Sequence, residues 1–260
     1  MNLAAKQIKH ILLATAFAVA TVPHTVLAAD DEIGTTGRAG DFTLSFRAGN
    51  LFSSARSEGI SNIGPVGFTP EGTIPGTDIN VDDSLLVTFI PSYFLTNHFA
   101  IDAFIATPAF MGITAEGLEG FGVTDIGKIE YIVPSVYLTA YPAPANWKLQ
   151  PSLSMGFGTM IKTRDDRASE QVENALGAGT TLDVARDSFI PTARAGIDYK
   201  ISDRWSVGVH ATMFWGKTRA TITPTAVIPL GPGLSAPLGD VTADVKIDAL
   251  ALQGAFTYRF

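Results

Sequence analysis

Residues 189–213 read FIPTARAGIDYKISDRWSVGVHATM. Phe189, Pro191, Ala193, Ala195 and Ile197 alternate with Ile190, Thr192, Arg194, Gly196 and Asp198. After the short turn Ile201-Ser202-Asp203 the alternation resumes, with Trp205, Val207, Val209, Ala211 and Met213 set against Ser206, Gly208, His210 and Thr212. A period of two, sustained for about ten residues with one parity apolar, is the pattern of a strand that turns one face to lipid. Two such strands joined by a short polar turn form an antiparallel pair.

The same alternation recurs outward from this pair. Asp41–Phe52 and Trp147–Phe157 carry it clearly; Leu85–Phe94, Phe99–Thr107, Glu130–Tyr141 and Leu250–Phe260 carry it more weakly. That makes eight strands. Leu95 to His98, Pro142 to Asn146 and Ile201 to Asp203 are short connections, whereas 53–83, 110–129, 163–187 and 217–243 are long and rich in Gly and polar residues. Short periplasmic turns alternating with long extracellular loops are the rule for outer-membrane barrels. The expected fold is all-β, an eight-stranded antiparallel transmembrane β-barrel with both termini periplasmic.

The chain start fits that route. Lys6 and Lys9 precede an apolar run from Ile11 to Val22, and Val26-Leu27-Ala28 resembles a cleavage site. Residues 1–28 are read as a signal peptide, because the run is too short for a spanning helix. Loss of its two lysines takes the formal net charge from −7 to −9. An acidic chain is a poor partner for nucleic acid. The absence of cysteine removes disulfides, thiolate metal sites and a cysteine nucleophile.

Aromatic residues frame the short-turn end. Tyr93 and Phe99, Tyr141 and Trp147, and Tyr199 and Trp205 flank the three turns, and Phe256, Tyr258 and Phe260 end the chain. Amphipathic rings favour the membrane–water boundary, so these read as a girdle. The terminal Phe, with aromatics two and four residues earlier, resembles the C-terminal signal of outer-membrane barrels.

An ordered set of short stretches then resembles the OmpW family, including its alkane-importer-like branch. These are Tyr93-Phe94-Leu95-Thr96 with Phe99-Ala100-Ile101, Ala106-Thr107-Pro108, and Val133-Pro134-Ser135-Val136-Tyr137-Leu138. They continue with Pro151 to Gly158, Ala195 to Tyr199 followed by Trp205, and Tyr258-Arg259-Phe260. Ser152 stands where the family usually has an aromatic, and the His that often follows the Thr-Pro motif is missing. The resemblance implies a barrel that helps small hydrophobic molecules cross the outer membrane, in contact with outer-membrane lipid and lipopolysaccharide.

The strand interiors bear on that expectation. Near the turns the inward parity carries Arg47, Asp102, Lys148, Arg194, Asp198 and His210, a mixed-charge set expected to pair and plug a barrel only wide enough for side chains. Near the loops it carries Leu51, Leu86, Phe104, Val133, Met160, Ile190 and Phe214, an expected apolar cup. Pro108, Pro134 and Pro191 lie at similar distance from the turns. Each lacks the N–H a ladder needs, so they either weaken the wall or mark strand ends. A solute in the cup would leave sideways rather than through the floor. The other reading is a structural or adhesin-type barrel acting through its loops.

Enzyme chemistry has little footing. His210 shares a strand face with Ser206 and Thr212, but residues two apart on a strand are separated by roughly 6.5–7 Å, beyond hydrogen-bond reach. Asp82-Asp83 and Asp165-Asp166 read as solvated loop carboxylates, the latter offset by Arg164 and Arg167. Neither a cofactor nor a metal site is expected.

Overall fold

The computed structural model describes residues 38–57, 76–185, 189–231 and 234–260. The signal-peptide reading and the tip of the 53–83 segment lie outside them.

In chain order the strands are β1 (Phe42–Ser57), β2 (Asp78–Val81), β3 (Ser84–Phe94), β4 (Phe99–Ala106), β5 (Ala109–Glu116), β6 (Asp125–Ile132), β7 (Ser135–Ala140) and β8 (Leu149–Gly158). They continue with β9 (Ile161–Lys162), β10 (Arg167–Ala168), β11 (Thr181–Val184), β12 (Ile190–Lys200), β13 (Trp205–Thr223), β14 (Val227–Gly231), β15 (Leu234–Pro237) and β16 (Val241–Arg259). Eight of these, in the order β13-β12-β8-β7-β4-β3-β1-β16, form an antiparallel sheet that closes by pairing β16 back onto β13. Closure satisfies every edge, which a wall facing lipid requires.

Side-chain parity follows the expected split. Phe42, Leu44, Phe46, Phe89, Ile101, Leu138, Met155, Val209 and Phe256 are exposed on the outer face. Ser45, Arg47, Ser92, Asp102, Thr139, Gln150, Arg194 and His210 are buried inside. A soluble protein could not leave such a belt in water; in lipid it is the stabilised face.

The segments read as long loops are largely stranded. β1, β13 and β16 continue well past the belt, and Asp244 still pairs with Arg219 across the β13–β16 ladder. Residues 110–129 are a hairpin of β5 and β6, flanked by β2 on one side and by β9 and β10 on the other. Within 163–187 lie β10, β11 and a helix Glu170–Leu176, whose N-cap Ser169 accepts from the Val172 N–H. Gly and polar residues had masked these strands, because outside the belt neither face needs to be continuously apolar.

The expected strand Glu130–Tyr141 is two strands, β6 and β7, and Phe99–Thr107 is continued by β5. The β4–β7 ladder ends at Phe104↔Ser135, and the β5–β6 ladder begins at Ala109↔Tyr131. Four residues, Ile105 to Pro108, therefore face three, Ile132 to Pro134. The extra residue acts as a bulge and switches the inward parity from Phe104 to Ala109. Pairing fails on the other side as well. The Thr107 N–H still donates to Val87 O and the Asp82 N–H to Gly112 O, but no ladder joins Asp83–Leu86 to Pro108–Met111. Pro191 behaves differently: it sits inside an unbroken β8–β12 ladder opposite Phe157. Of these three prolines, only Pro108 and Pro134 coincide with an interruption.

Glycine spacing helps the sheet close. A Cβ on Gly49 would collide with the Leu252 carbonyl oxygen on the neighbouring β16. Gly49→Ala must push β1 and β16 apart, and is expected to destabilise the barrel by about 2 kcal/mol or more. The measurement is the urea midpoint of the heat-modifiable, folded gel band, which should fall in the variant.

Candidate functional site

Seven of the residues expected to form an apolar cup line one cavity. Leu51, Leu86, Phe104, Val133, Met160, Ile190 and Phe214 surround about 660 Å³ of space, part of it open to solvent. Ala109, Met111 and Tyr131 complete it. Met111 escaped the sequence reading because it lies in a segment taken for loop, and Ala109 because the bulge at Pro108 reverses the parity; Tyr131 falls within the expected strand Glu130–Tyr141, on the parity of Val133, but was not singled out. Pro108 and Pro134 are half-buried in the wall beside the cavity; Thr107 and Val133, their preceding neighbours, contribute to its lining.

An aromatic layer closes the cavity below. Phe104 packs edge-on against Phe214 with ring centroids 5.8 Å apart, and lies 6.1 Å from Tyr137. Tyr137 is 1% exposed. Its other side carries the Arg194 guanidinium, 4.7 Å from the ring centroid. The aromatic layer thus separates apolar from charged interior, and the cation–π contact ties the two halves together.

Beneath it four of the charged or titratable residues pair. Arg194 is ion-paired with Asp102, both almost wholly buried. Thr139 Oγ1 donates to Asp102 Oδ2 at 2.6 Å and lies 2.8 Å from Ser154 Oγ. His210 Nε2 lies 3.1 Å from Asp198 Oδ1. The His210 ring occupies the space a Cβ on Gly196 would need. Arg47 Nε donates to Ser45 Oγ at 3.1 Å. Lys148 is not part of this network. It precedes β8 and is exposed beneath the barrel, because the strand's inward register begins only at Gln150.

The lowest layer includes a residue the sequence did not single out. Arg38, just before β1, reaches across the barrel end. Its Nη1 donates to the Asn97 carbonyl at 3.0 Å and its Nη2 to the Ala143 carbonyl at 3.3 Å, with Gln150 as a further partner. Its guanidinium lies over the rings of Phe94 and Tyr141, at 5.8 and 5.1 Å. Tyr141 therefore turns under the lumen and stacks on Phe94 at 5.0 Å rather than joining the lipid-facing girdle. A single Arg before the first strand carries no periodic signal, so nothing in the pattern marked it.

Above the cup is a second apolar compartment. Ile79, Ile113, Leu118, Ile126, Val172 and Ile222 are among the residues around some 990 Å³ of space. Its wall is held by polar staples. Gln171 Oε1 accepts from the N–H groups of Thr124 and Asp125, at 2.8 and 2.9 Å. Asp166 accepts from the Val184 N–H and pairs with Lys162, both at 2.8 Å, while the Tyr131 hydroxyl lies within 3.2 Å. Asp166 is thus a buried structural acceptor, not solvated charge, and Arg164 pairs with Glu130 instead.

Comparison with known proteins agrees with this architecture. AlkL, an outer-membrane protein of Ectopseudomonas oleovorans, is 22% identical over 223 residues, covering 85% of this chain and 83% of its own. Outer membrane protein W of Salmonella typhimurium is 24% identical over 168 residues, covering 62% of this chain and 74% of its own. The crystal structure of OprG from Pseudomonas aeruginosa superposes with a TM-score of 0.68 at 20% identity, covering 86% of this chain and 97% of that one. The pattern of the OmpW family matches residues 38–260. The chain is an outer-membrane β-barrel and belongs to the OmpW family.

Proposed function

We propose that the barrel takes up small hydrophobic molecules from the outer side, holds them in the cup beneath the upper compartment, and releases them sideways into the membrane. One observation carries this reading. The cup is apolar and shut below by Phe104, Tyr137 and Phe214 over the Arg194–Asp102 pair, while its wall lacks ladder pairing on both sides of Pro108. A solute that burial draws in at about 25 cal/mol per Å² meets a floor it cannot cross without breaking buried ion pairs. The side wall, by contrast, is held there by side-chain packing and a few isolated hydrogen bonds, such as Thr107 N–H to the Val87 carbonyl.

The upper compartment fits the same route. Its lining residues and those of the cup belong to one continuous cluster of buried apolar side chains. An apolar solute descending from outside therefore passes between like surfaces. Membership of the OmpW family, and likeness to the outer-membrane protein AlkL along most of both chains, support a role at the outer membrane of this kind.

Two substitutions test the cup and the wall. Phe104→Asp places a charge where no polar group answers it, at a cost of several kcal/mol. Uptake of a small alkane or aromatic should fall about ten-fold or more at matched outer-membrane levels. Replacing Pro108 and Pro134 together with valine restores two ladder donors and should slow uptake while the heat-modifiable band persists. Transport at the wild-type rate by both variants would discard lateral release and favour a barrel that acts through its extracellular segments.

The floor gives a third expectation. Arg194→Ala removes the partner of a buried carboxylate, which costs about 3–5 kcal/mol, without touching the cup. Planar-bilayer recording should show raised ion conductance, and apolar uptake per folded barrel should stay near wild type. Loss of uptake in step with raised conductance would place the solute path through the floor.

A further inference from the structure

The two apolar compartments differ in kind. Ile79, Ile113, Leu118, Ile126, Val172 and Ile222 set the character of the upper one, and among the described residues neither a ring nor a sulfur lines it. The cup is lined by three rings, Phe104, Tyr131 and Phe214, and by two thioethers, Met111 and Met160. All five are buried. The other methionines of the barrel lie elsewhere: Met155 is 78% exposed on the outer face, and Met213 shares the outward parity of Val209 and Trp215.

These groups are held in place. Phe104 and Phe214 meet edge to face, with ring planes 65° apart. Such a pair leaves π surface outside the contact, and both rings line the cavity. The Tyr131 hydroxyl lies 3.0 Å from the Val184 carbonyl and within 3.2 Å of Asp166, which fixes its ring beside the cup. The Ser53 hydroxyl donates to the Met111 sulfur at 3.9 Å.

The difference bears on which hydrocarbon is held. Burial of apolar area hardly separates an aromatic ring from a saturated ring of the same skeleton. The aromatic ring also carries a quadrupole, negative on its faces and positive at its edge. Other rings answer it in edge-to-face or offset contacts, and a polarizable sulfur answers it at the ring edge. A saturated ring gains neither contact. The aliphatic upper compartment offers both solutes area alone, whereas the cup offers the aromatic one more.

We propose that the cup is selective for small aromatic rings over saturated hydrocarbons of equal size, with Met111, Met160 and Phe214 as its specificity-determining residues. The upper compartment admits both kinds. The selectivity rests on the cup being the solute site and is independent of how the solute leaves.

The test uses the purified protein in mild detergent, with isotopically labelled methionine methyl groups observed by NMR. Ethylbenzene is titrated directly, and ethylcyclohexane in competition with it. Both affinities are referred to solute dissolved in the micelle, because the two differ in their transfer from water. Ethylbenzene should shift the Met111 and Met160 methyls saturably through its ring current. Met155 and Met213 should drift without saturating. Wild type should hold ethylbenzene about ten-fold more tightly than ethylcyclohexane. Met160→Leu, which conserves volume and leaves Met111 as reporter, should narrow that ratio about three-fold, and so should Phe214→Leu. Met155→Leu should match wild type, and the heat-modifiable band should persist in all. Equal binding of the two solutes by wild type overturns the selectivity, as does the wild-type ratio in both cup variants. No saturable shift with ethylbenzene removes the cup as a solute site, and the selectivity then falls together with the uptake reading rather than alone.

Discussion

A strand that faces lipid has no water to satisfy its backbone, and everything else in this molecule follows from how that demand is met. The β13–β16–β1 ladders are long and continuous, with pairing from Thr43↔Arg259 to Ser57↔Val245 and from Trp205↔Tyr258 to Ile222↔Val241. That side of the barrel is a rigid wall, and Gly49 lets two of its strands approach. The opposite side is where the rule is relaxed. Around Pro108 and Pro134 two residues have no N–H to offer, so an unpaired ladder there leaves fewer orphaned donors than it would anywhere else in the wall. Proline makes the interruption less costly as well as creating it.

The relaxed wall is only useful because the interior is divided at the same height. Ion pairs below the aromatic layer are mutually compensated, and the groups above it need no compensation. A barrel of this width has no room for a water-filled passage beside them. Breaking the Arg194–Asp102 pair would strand a charge, whereas parting the wall around Thr107 and Val133 sacrifices dispersion contacts and at most a few neutral hydrogen bonds. In the proposed route, the difference between those costs sets the direction in which an apolar solute leaves.

Much of this was legible from alternation. The eight strands, the three short turns and the change from charged to apolar interior follow from residue parity, since lipid forces one face of each strand to be apolar. Legibility failed wherever that force was absent. Above the belt both faces of β5 meet protein or water, so Ala109 and Met111 showed no clean pattern, and the bulge at Pro108 had already shifted the phase. It failed at the ends too. Lys148 lay on the inward parity but outside the wall, and Arg38 precedes the first strand, so parity misplaced one and missed the other. Tyr141 was assigned to lipid by analogy with its neighbours, but it turns inward because Phe94 and Arg38 offer it a stack and a cation.

The stranded upper region has its own physical logic. An apolar compartment outside the membrane would collapse or aggregate unless walled on all sides. β5 and β6 are too short to close a barrel by themselves, and β9 and β10 contribute two residues each. The missing wall is supplied by the helix Glu170–Leu176, which sets buried Val172 and half-buried Leu176 against the compartment, and by polar staples that hold it there. Asp166 serves three partners at once and Gln171 caps two adjacent N–H groups. Such acceptors are directional where apolar packing is not, so they define the distance between helix and hairpin while leaving the space between them apolar. The segments that a sequence reading assigns to loops are therefore the walls of the upper compartment, and their Gly and polar content reflects turns and staples rather than an absence of structure.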